Sequence, residues 1–130
     1  MEWYRNLKKE GTGIWWGIYG IADHHFRGAC GFNDLEKTHR KAEIGMWLLK
    51  EYWGQGILKE VMPKIFEHGF TQLNLNRIEG FVDHENKKCK AALEKINFTF
   101  EGTMRESEIK DGEKLSTDIY SILKSDWNLK

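Results

Sequence analysis

The sequence predicts a mixed α/β fold built on a central sheet. Three observations carry that expectation. Short runs of β-branched and aromatic residues occur at Ile14–Ile21, Phe26–Phe32 and Arg77–Val82. Ile44, Met46 and Leu48 alternate with Glu43, Gly45 and Trp47 within Ala42–Leu49, and from Ile57 to Leu73 apolar residues recur at three- and four-residue steps. A period of two marks a strand and a period near 3.6 marks a helix, so interleaving them predicts helices packed on a sheet.

Met1–Lys9 carries Trp3, Tyr4 and Leu7 at helical spacing before Gly11-Thr12-Gly13, and is expected to be the last turns of a helix. Ile14–Ile21 and Phe26–Phe32 follow as strands, joined by a hairpin at Ala22-Asp23-His24-His25. The polar Asn33–Lys41 stretch is expected to be a loop. In the Ala42–Leu49 strand the alternation puts Glu43, Gly45 and Trp47 on one face and Ile44, Met46 and Leu48 on the other. The helix from Ile57 contains Pro63, which deletes an internal hydrogen bond and predicts a bend there. After the Arg77–Val82 strand, Asn86 is a good N-cap for a second helix with Cys89, Ala92, Leu93 and Ile96 on one face. Asn97–Arg105 and Leu115–Leu123 complete the sheet, with Glu106–Lys114 as a turn region and Asp111-Gly112 as its tip.

One junction carries chemistry. Between strand and helix lies Tyr52-Trp53-Gly54-Gln55-Gly56-Ile57. Two glycines one residue apart let the backbone turn tightly and approach a ligand without interference from Cβ atoms. The helix that follows begins with unpaired N–H groups at the positive end of its dipole, a natural seat for a phosphate or pyrophosphate. Other nucleotide motifs fail. Lys59 stands where a dinucleotide fingerprint needs its third glycine, and no Gly-Lys-Ser/Thr ending completes a P-loop.

Ala42-Glu43-Ile44-Gly45-Met46-Trp47-Leu48 followed by Glu51-Tyr52-Trp53-Gly54-Gln55-Gly56-Ile57 resembles the cofactor motif of the GNAT acetyltransferases, in particular the RimJ/RimL-type branch. Asn76-Arg77-Ile78-Glu79, Asp83–Cys89, Leu93–Phe98 and Phe100–Glu106 continue the resemblance, which covers roughly Ile14 to Trp127. Glu51 stands where many members carry Gln or Arg, Cys89 where the branch commonly has Ser, and Asn97 where Gly is common.

The resemblance implies a GNAT-like acyl-CoA N-acyltransferase fold, shortened at its N-terminus so that Met1 falls inside the second helix. It also implies a V-shaped opening between the Ala42–Leu49 and Arg77–Val82 strands. Acetyl-CoA is the acyl donor this implies, its pantetheine arm against Trp47, Leu48 and Leu49. Its pyrophosphate would lie on the N–H groups of Gly54, Gln55, Gly56 and Ile57, with Asn86 and Cys89 beside the thioester. The acceptor is a primary amine, either a protein N-terminus or a small molecule. Glu43 is the candidate base for that amine and Cys89 the candidate acid for the departing thiolate. Each has a plainer alternative: Glu43 pairing with an arginine, and Cys89 packed as a small hydrophobe. A non-catalytic acyl-CoA-binding module and a plain interaction domain also stay open.

Composition narrows the remaining classes. A chain of 130 residues suits one domain spanning 1–130. Twenty Lys+Arg balance twenty Asp+Glu, which argues against nucleic acid as a partner, and the Lys87–Lys88 pair reads as solvated surface. No apolar run reaches membrane-spanning length. Cys30 and Cys89 read as reduced thiols of a cytoplasmic protein. The five histidines lack metal-ligand spacing, so no metal is expected. Without a preceding strand, Ile14–Ile21 would be an open sheet edge, which predicts a homodimer.

Overall fold

The computed structural model describes the backbone of residues 2–10 and 13–128, and the side chains of residues 13–128. Seven strands form one sheet: β1 (Glu2–Glu10), β2 (Gly13–Tyr19), β3 (Phe26–Glu36), β4 (Lys41–Leu48), β5 (Arg77–Asp83), β6 (Thr99–Lys110) and β7 (Glu113–Leu123). Helix α1 (Ile57–Thr71) joins β4 to β5, α2 (Lys87–Lys95) joins β5 to β6, and α3 (Lys124–Asn128) follows β7. The strand order is β1-β2-β3-β4-β5-β7-β6, antiparallel except where β4 meets β5.

The alternation read from the sequence decides which face is buried. Ile14, Trp16 and Ile18 of β2, Cys30 and Phe32 of β3, and Ala42 and Ile44 of β4 turn to one side. They meet Ile57, Val61, Met62, Ile65, Phe66 and Phe70 of α1, and Leu93 of α2 closes the same core. Each such large side chain contributes about 1.5–3 kcal/mol by leaving water. Helix α1 is continuous through Pro63, so this apolar stripe outweighs the lost hydrogen bond.

Helix α2 ends in a Schellman motif. Phe98 N–H bonds Leu93 O at 3.0 Å, Asn97 N–H bonds Glu94 O at 3.1 Å, and Asn97 takes φ 71°. That left-handed position favours Gly or Asn, which explains why asparagine is an acceptable replacement for glycine there.

Four expectations need correction. Of the Met1–Lys9 segment, the described residues are not helical: Glu2–Glu10 forms β1, paired with β2 from Glu2↔Tyr19 to Glu10↔Gly13 with irregularities between Trp3 and Asn6 and between Asn6 and Lys8. Pairing along a whole strand outweighs weak helical spacing over nine residues. The Ile14–Ile21 segment is therefore not a sheet edge, and the homodimer expectation loses its physical basis; the outer strands are β1 and β6. Asn33–Lys41 is mostly strand, because β3 runs on to Glu36, which pairs with Lys41. Glu106–Lys114 likewise continues the β6–β7 ladder, with only Asp111 (φ 52°) and Gly112 (φ 82°) making the turn. Both segments are polar because they are exposed, and polarity alone does not separate an exposed ladder from a loop. Helix α3 escaped notice altogether; its Trp127 packs edge-on against Phe66 at 6.0 Å between ring centres.

One buried carboxylate ties the helix end of the sheet together. Asp118 of β7, fully buried, accepts from Thr103 Oγ1 at 2.7 Å, contacts His84 Nδ1 at 2.8 Å and lies 2.9 Å from Lys90 Nζ. Burial alone would raise its pKa, but hydrogen bonds from Lys90, Thr103 and His84 outweigh that and hold it at about 2. A depressed carboxylate stabilises the fold above its ordinary range near ~3.9, and that contribution is lost as pH falls through the folded value. Asp118→Ala is expected to cost about 2–4 kcal/mol in urea unfolding at pH 7. The gap to wild type should narrow below pH ~3.9 and close toward pH ~2.

Candidate active site

The site begins where two strands part. β4 and β5 pair in parallel at only three positions, Lys41↔Arg77, Ala42↔Ile78 and Glu43↔Glu79. Beyond Glu43 each strand runs on without the other, to Leu48 and to Asp83. The strand edges facing the resulting fork lack ladder partners. Leu49 N–H donates to Arg27 O of the neighbouring chain segment at 2.8 Å, so alternation turns the backbone groups of Met46 and Leu48 toward the fork.

The turn after β4 is held by its own hydrogen bonds. A single 3-10 turn covers Lys50–Tyr52, and the Trp53 indole N–H donates to Leu48 O at 2.9 Å. Gln55 Nε2 donates to Glu51 O at 3.1 Å, so the Glu51 main chain supports the turn whatever its side chain. Gly54 and Gly56 both take φ 75°, the left-handed region where a Cβ is strained. A Cβ at either position would meet nothing within 4 Å. Packing therefore does not demand these glycines; backbone conformation does, and it leaves clear space above the turn. Gly56 caps α1 without a side-chain hydrogen bond, so the helix presents its free first-turn N–H groups to that space.

A cleft of about 490 Å³ joins these elements. Met46, Trp47 and Leu48 line it from β4, Trp53 and Gly54 from the turn, Leu58 from α1, and Asn86, Lys88, Cys89 and Ala92 from α2. Asn86 Oδ1 accepts from Cys89 N–H at 3.1 Å, capping α2 and fixing the orientation of its first turn. The Cys89 thiol is partly buried, and burial raises its pKa above the ordinary value. A proton held that tightly makes Cys89 a neutral thiol at pH 7 rather than a nucleophile.

Of the residues read from the sequence, Trp47, Leu48, Gly54, Asn86 and Cys89 meet in this cleft. Gln55, Gly56 and Ile57 lie beside it, at the turn and the helix start. Ile57 is a buried core residue, so only its backbone faces outward, and Leu49 spends its N–H on Arg27. Met46, Trp53, Leu58, Lys88 and Ala92 were not foreseen as lining residues. Lys88 was recoverable, as it precedes Cys89 on the first turn of α2. Met46 was not, because alternation assigns it to the core, and only the parting of β5 turns that stretch into a cleft floor.

Glu43 lies outside this cleft, on the opposite face of β4 at the mouth of the fork. Among the described residues no arginine pairs with it. Glu79 takes the neighbouring Arg77 guanidinium at 2.9 Å, and Arg77 also binds Glu101 in a two-pronged contact of 2.7 and 2.8 Å. Partial burial raises the pKa of Glu43, followed by the charge of Asp34, a hydrogen bond with Asp34 and the charge of Glu79. Beside it, Trp15 lies over Gly45 and donates its indole N–H to Asn33 Oδ1 at 2.9 Å. Among the described residues no group of three His, Cys, Asp or Glu could hold a metal ion, and no helix is long and apolar enough to cross a membrane.

The fold matches that of acetyl-transferring enzymes. A mutant form of the spermidine N-acetyltransferase SpeG from Vibrio cholerae superposes with a TM-score of 0.85, covering 91% of this chain and 69% of that one at 24% identity. The Acetyltransferase (GNAT) domain model matches residues 1–99. YoaA of Bacillus subtilis, described as an uncharacterized N-acetyltransferase, is 35% identical over 124 residues, which cover 95% of this chain and 70% of YoaA. YdaF of the same organism, described as a proposed ribosomal N-acetyltransferase, is 35% identical over 107 residues, covering 82% of this chain and 58% of YdaF. The chain belongs to the GNAT acetyltransferase family.

The thiols give a test of the cleft. Cys30 is fully buried and its pKa is pushed up to about 12, whereas Cys89 is only partly buried. Iodoacetamide at pH 8 is expected to modify Cys89 slowly and Cys30 not at all in the native protein, read by peptide mass. The Cys89 rate should rise further above pH 9 as thiolate forms, and coenzyme A in the cleft should slow it.

Proposed function

We propose that this protein is an acetyl-CoA-dependent N-acetyltransferase that acetylates a primary amine by direct transfer within a ternary complex. The observation that carries this is the conjunction of the β4–β5 fork with the Gly54–Gly56 turn and the cleft of about 490 Å³ that joins them. The residues fit the donor. Open space above two left-handed glycines and an uncapped helix start accept a pyrophosphate. Met46, Trp47, Leu48 and Leu58 offer apolar walls to a pantetheine arm, and the Lys88 ammonium adds positive charge at the rim.

Acetyl-CoA, when bound, supplies the activated thioester; the chain's residues supply order and protons. Nucleophilic attack needs a neutral amine. An α-amine near pKa ~7.7–8.0 loses its proton with modest help, and an alkyl ammonium near ~10.4 needs a stronger base. Glu43 provides one from the far side of the fork, and its raised pKa makes it a better proton acceptor than an ordinary carboxylate. Backbone N–H groups of Met46 or Leu48 turn toward the fork, where charge develops on the carbonyl oxygen. Cys89, neutral at pH 7, holds a proton for the departing thiolate.

A small amine acceptor is favoured by the carboxylates Glu43, Asp34 and Glu79 at the fork mouth, which suit a cationic substrate, and by the SpeG likeness. A protein α-amine, in the manner of the RimJ/RimL-type enzymes, is the second reading, favoured by the relation to YdaF. Two unbridged cysteines suit a reducing, cytoplasmic compartment. The test is thiol release from acetyl-CoA against a panel of small amines and N-terminal peptides. Turnover is expected with at least one class, and Glu43→Gln should lower kcat/KM by about 10²–10³ while leaving acetyl-CoA affinity unchanged. Binding without turnover of any amine would leave a non-catalytic acyl-CoA-binding module.

A further inference from the structure

The glycine turn has little of its own to hold it. Gly54 and Gly56 carry no side chain to pack, and a Cβ at either would touch nothing within 4 Å. Gln55 bonds back to Glu51 O, inside the turn itself. The turn is therefore only as well placed as its two ends. Ile57, buried in the core, fixes the helix end. The entering end is the 3-10 turn Lys50–Tyr52, which has no buried residue, and Trp53 beyond it is 59% exposed.

Arg27 of β3 holds that entering end at two points. Its main-chain oxygen accepts from Leu49 N–H at 2.8 Å, just before the 3-10 turn. Its guanidinium lies over the ring of Tyr52, the last residue of that turn, 4.7 Å from the ring centre. A cation so close to an aromatic face is attracted by the ring quadrupole. Asp23, in the β2–β3 connection, orients the guanidinium by accepting from Nη2 at 2.8 Å, and is itself held by His25 N–H at 2.9 Å. Gly20 completes the fit, because a Cβ there would overlap Arg27 Nη2 and Asp23 Oδ1. The Arg27 side chain is only 14% exposed, and among the described residues its buried Nε has no hydrogen-bond partner. Buried donors are rarely left unpaired, so the ring and the carboxylate decide where this side chain lies, not the saturation of its own donors.

We propose that Arg27 is a positioning residue for the donor site, tying the β2–β3 connection to the chain that enters the Gly54–Gly56 turn through its contact with Tyr52. The inference rests on that turn seating the pyrophosphate of acetyl-CoA. Glycines lose more conformational freedom on ordering than any other residue, so a turn with a loose entry would have to be ordered by the ligand, at a cost in affinity. With Tyr52 held, that ordering precedes binding. Arg27 acts on the donor only through Tyr52.

Isothermal titration with coenzyme A tests this in wild type, Arg27→Met, Tyr52→Leu, the double variant, Tyr52→Phe and Gly20→Ala, with urea unfolding to confirm that each is folded. Arg27→Met keeps a long unbranched side chain and removes the charge; it is expected to weaken coenzyme A binding about fivefold. Tyr52→Leu should do the same, and the double variant should bind no more weakly than the weaker single variant, because all three remove one contact. Tyr52→Phe keeps the ring and should bind as wild type does. Gly20→Ala keeps every charge but displaces the guanidinium; it should show the Arg27→Met loss, and it carries the comparison if Arg27→Met does not fold. Unchanged affinity in Arg27→Met and Gly20→Ala, or losses that add in the double variant, would overturn the inference. A folded wild type that does not bind coenzyme A would instead remove the donor-site reading, and the inference with it.

Discussion

The constraint on which the site depends is the shortness of the β4–β5 pairing. Parallel strands are joined through a helix, and α1 makes that crossover here. Three register pairs fasten the two strands at Lys41, Ala42 and Glu43, and after that nothing keeps them together. The divergence leaves the stretch of β4 beyond Glu43 without a β5 ladder partner, and Met46, Trp47 and Leu48 of that stretch line the cleft.

Around that fork the chain separates rigid functions from permissive ones. The core face of α1 buries six large apolar residues, so the helix start is fixed in space even though no side chain caps it. The positively charged end of the helix dipole is thus pre-aimed at little entropic cost to the ligand. Asn86 plays the corresponding part for α2, fixing through its cap on Cys89 the first turn that carries Lys88 and Cys89. Asp118 adds a further anchor on the α2 side, its partners coming from β6, from the β5–α2 connection and from α2 itself. Anchors therefore stand on either side of the cleft, while the Gly54–Gly56 turn stays open to a ligand.

Much of this was legible in the sequence where local pattern and tertiary demand agree. Alternation in β4 gave the correct faces for Ala42, Glu43 and Ile44, and the spacing from Ile57 marked α1 to within two residues of its end. Asn86 as an N-cap and Asp111-Gly112 as a hairpin tip follow from the chemistry of those residue types, and both stand where expected. Failures occurred where the deciding contact is distant in sequence. Strand β1 exists because β2 offers a pairing partner, which helical spacing in Met1–Lys9 cannot register. Met46 packs against the core as alternation assigns it, and it also lines the cleft because of where β5 goes, 31 positions further on.

The central claim is that the fork and the glycine turn together seat acetyl-CoA. Amide NMR of the labelled protein titrated with coenzyme A tests it most directly, because each backbone N–H named here reports separately. The account predicts saturable shifts concentrated at Gly54, Gln55, Gly56 and Ile57, with further shifts at Met46, Leu48 and Cys89. A folded protein whose turn amides stay unmoved at saturating coenzyme A, or whose shifts gather away from the fork, would contradict it.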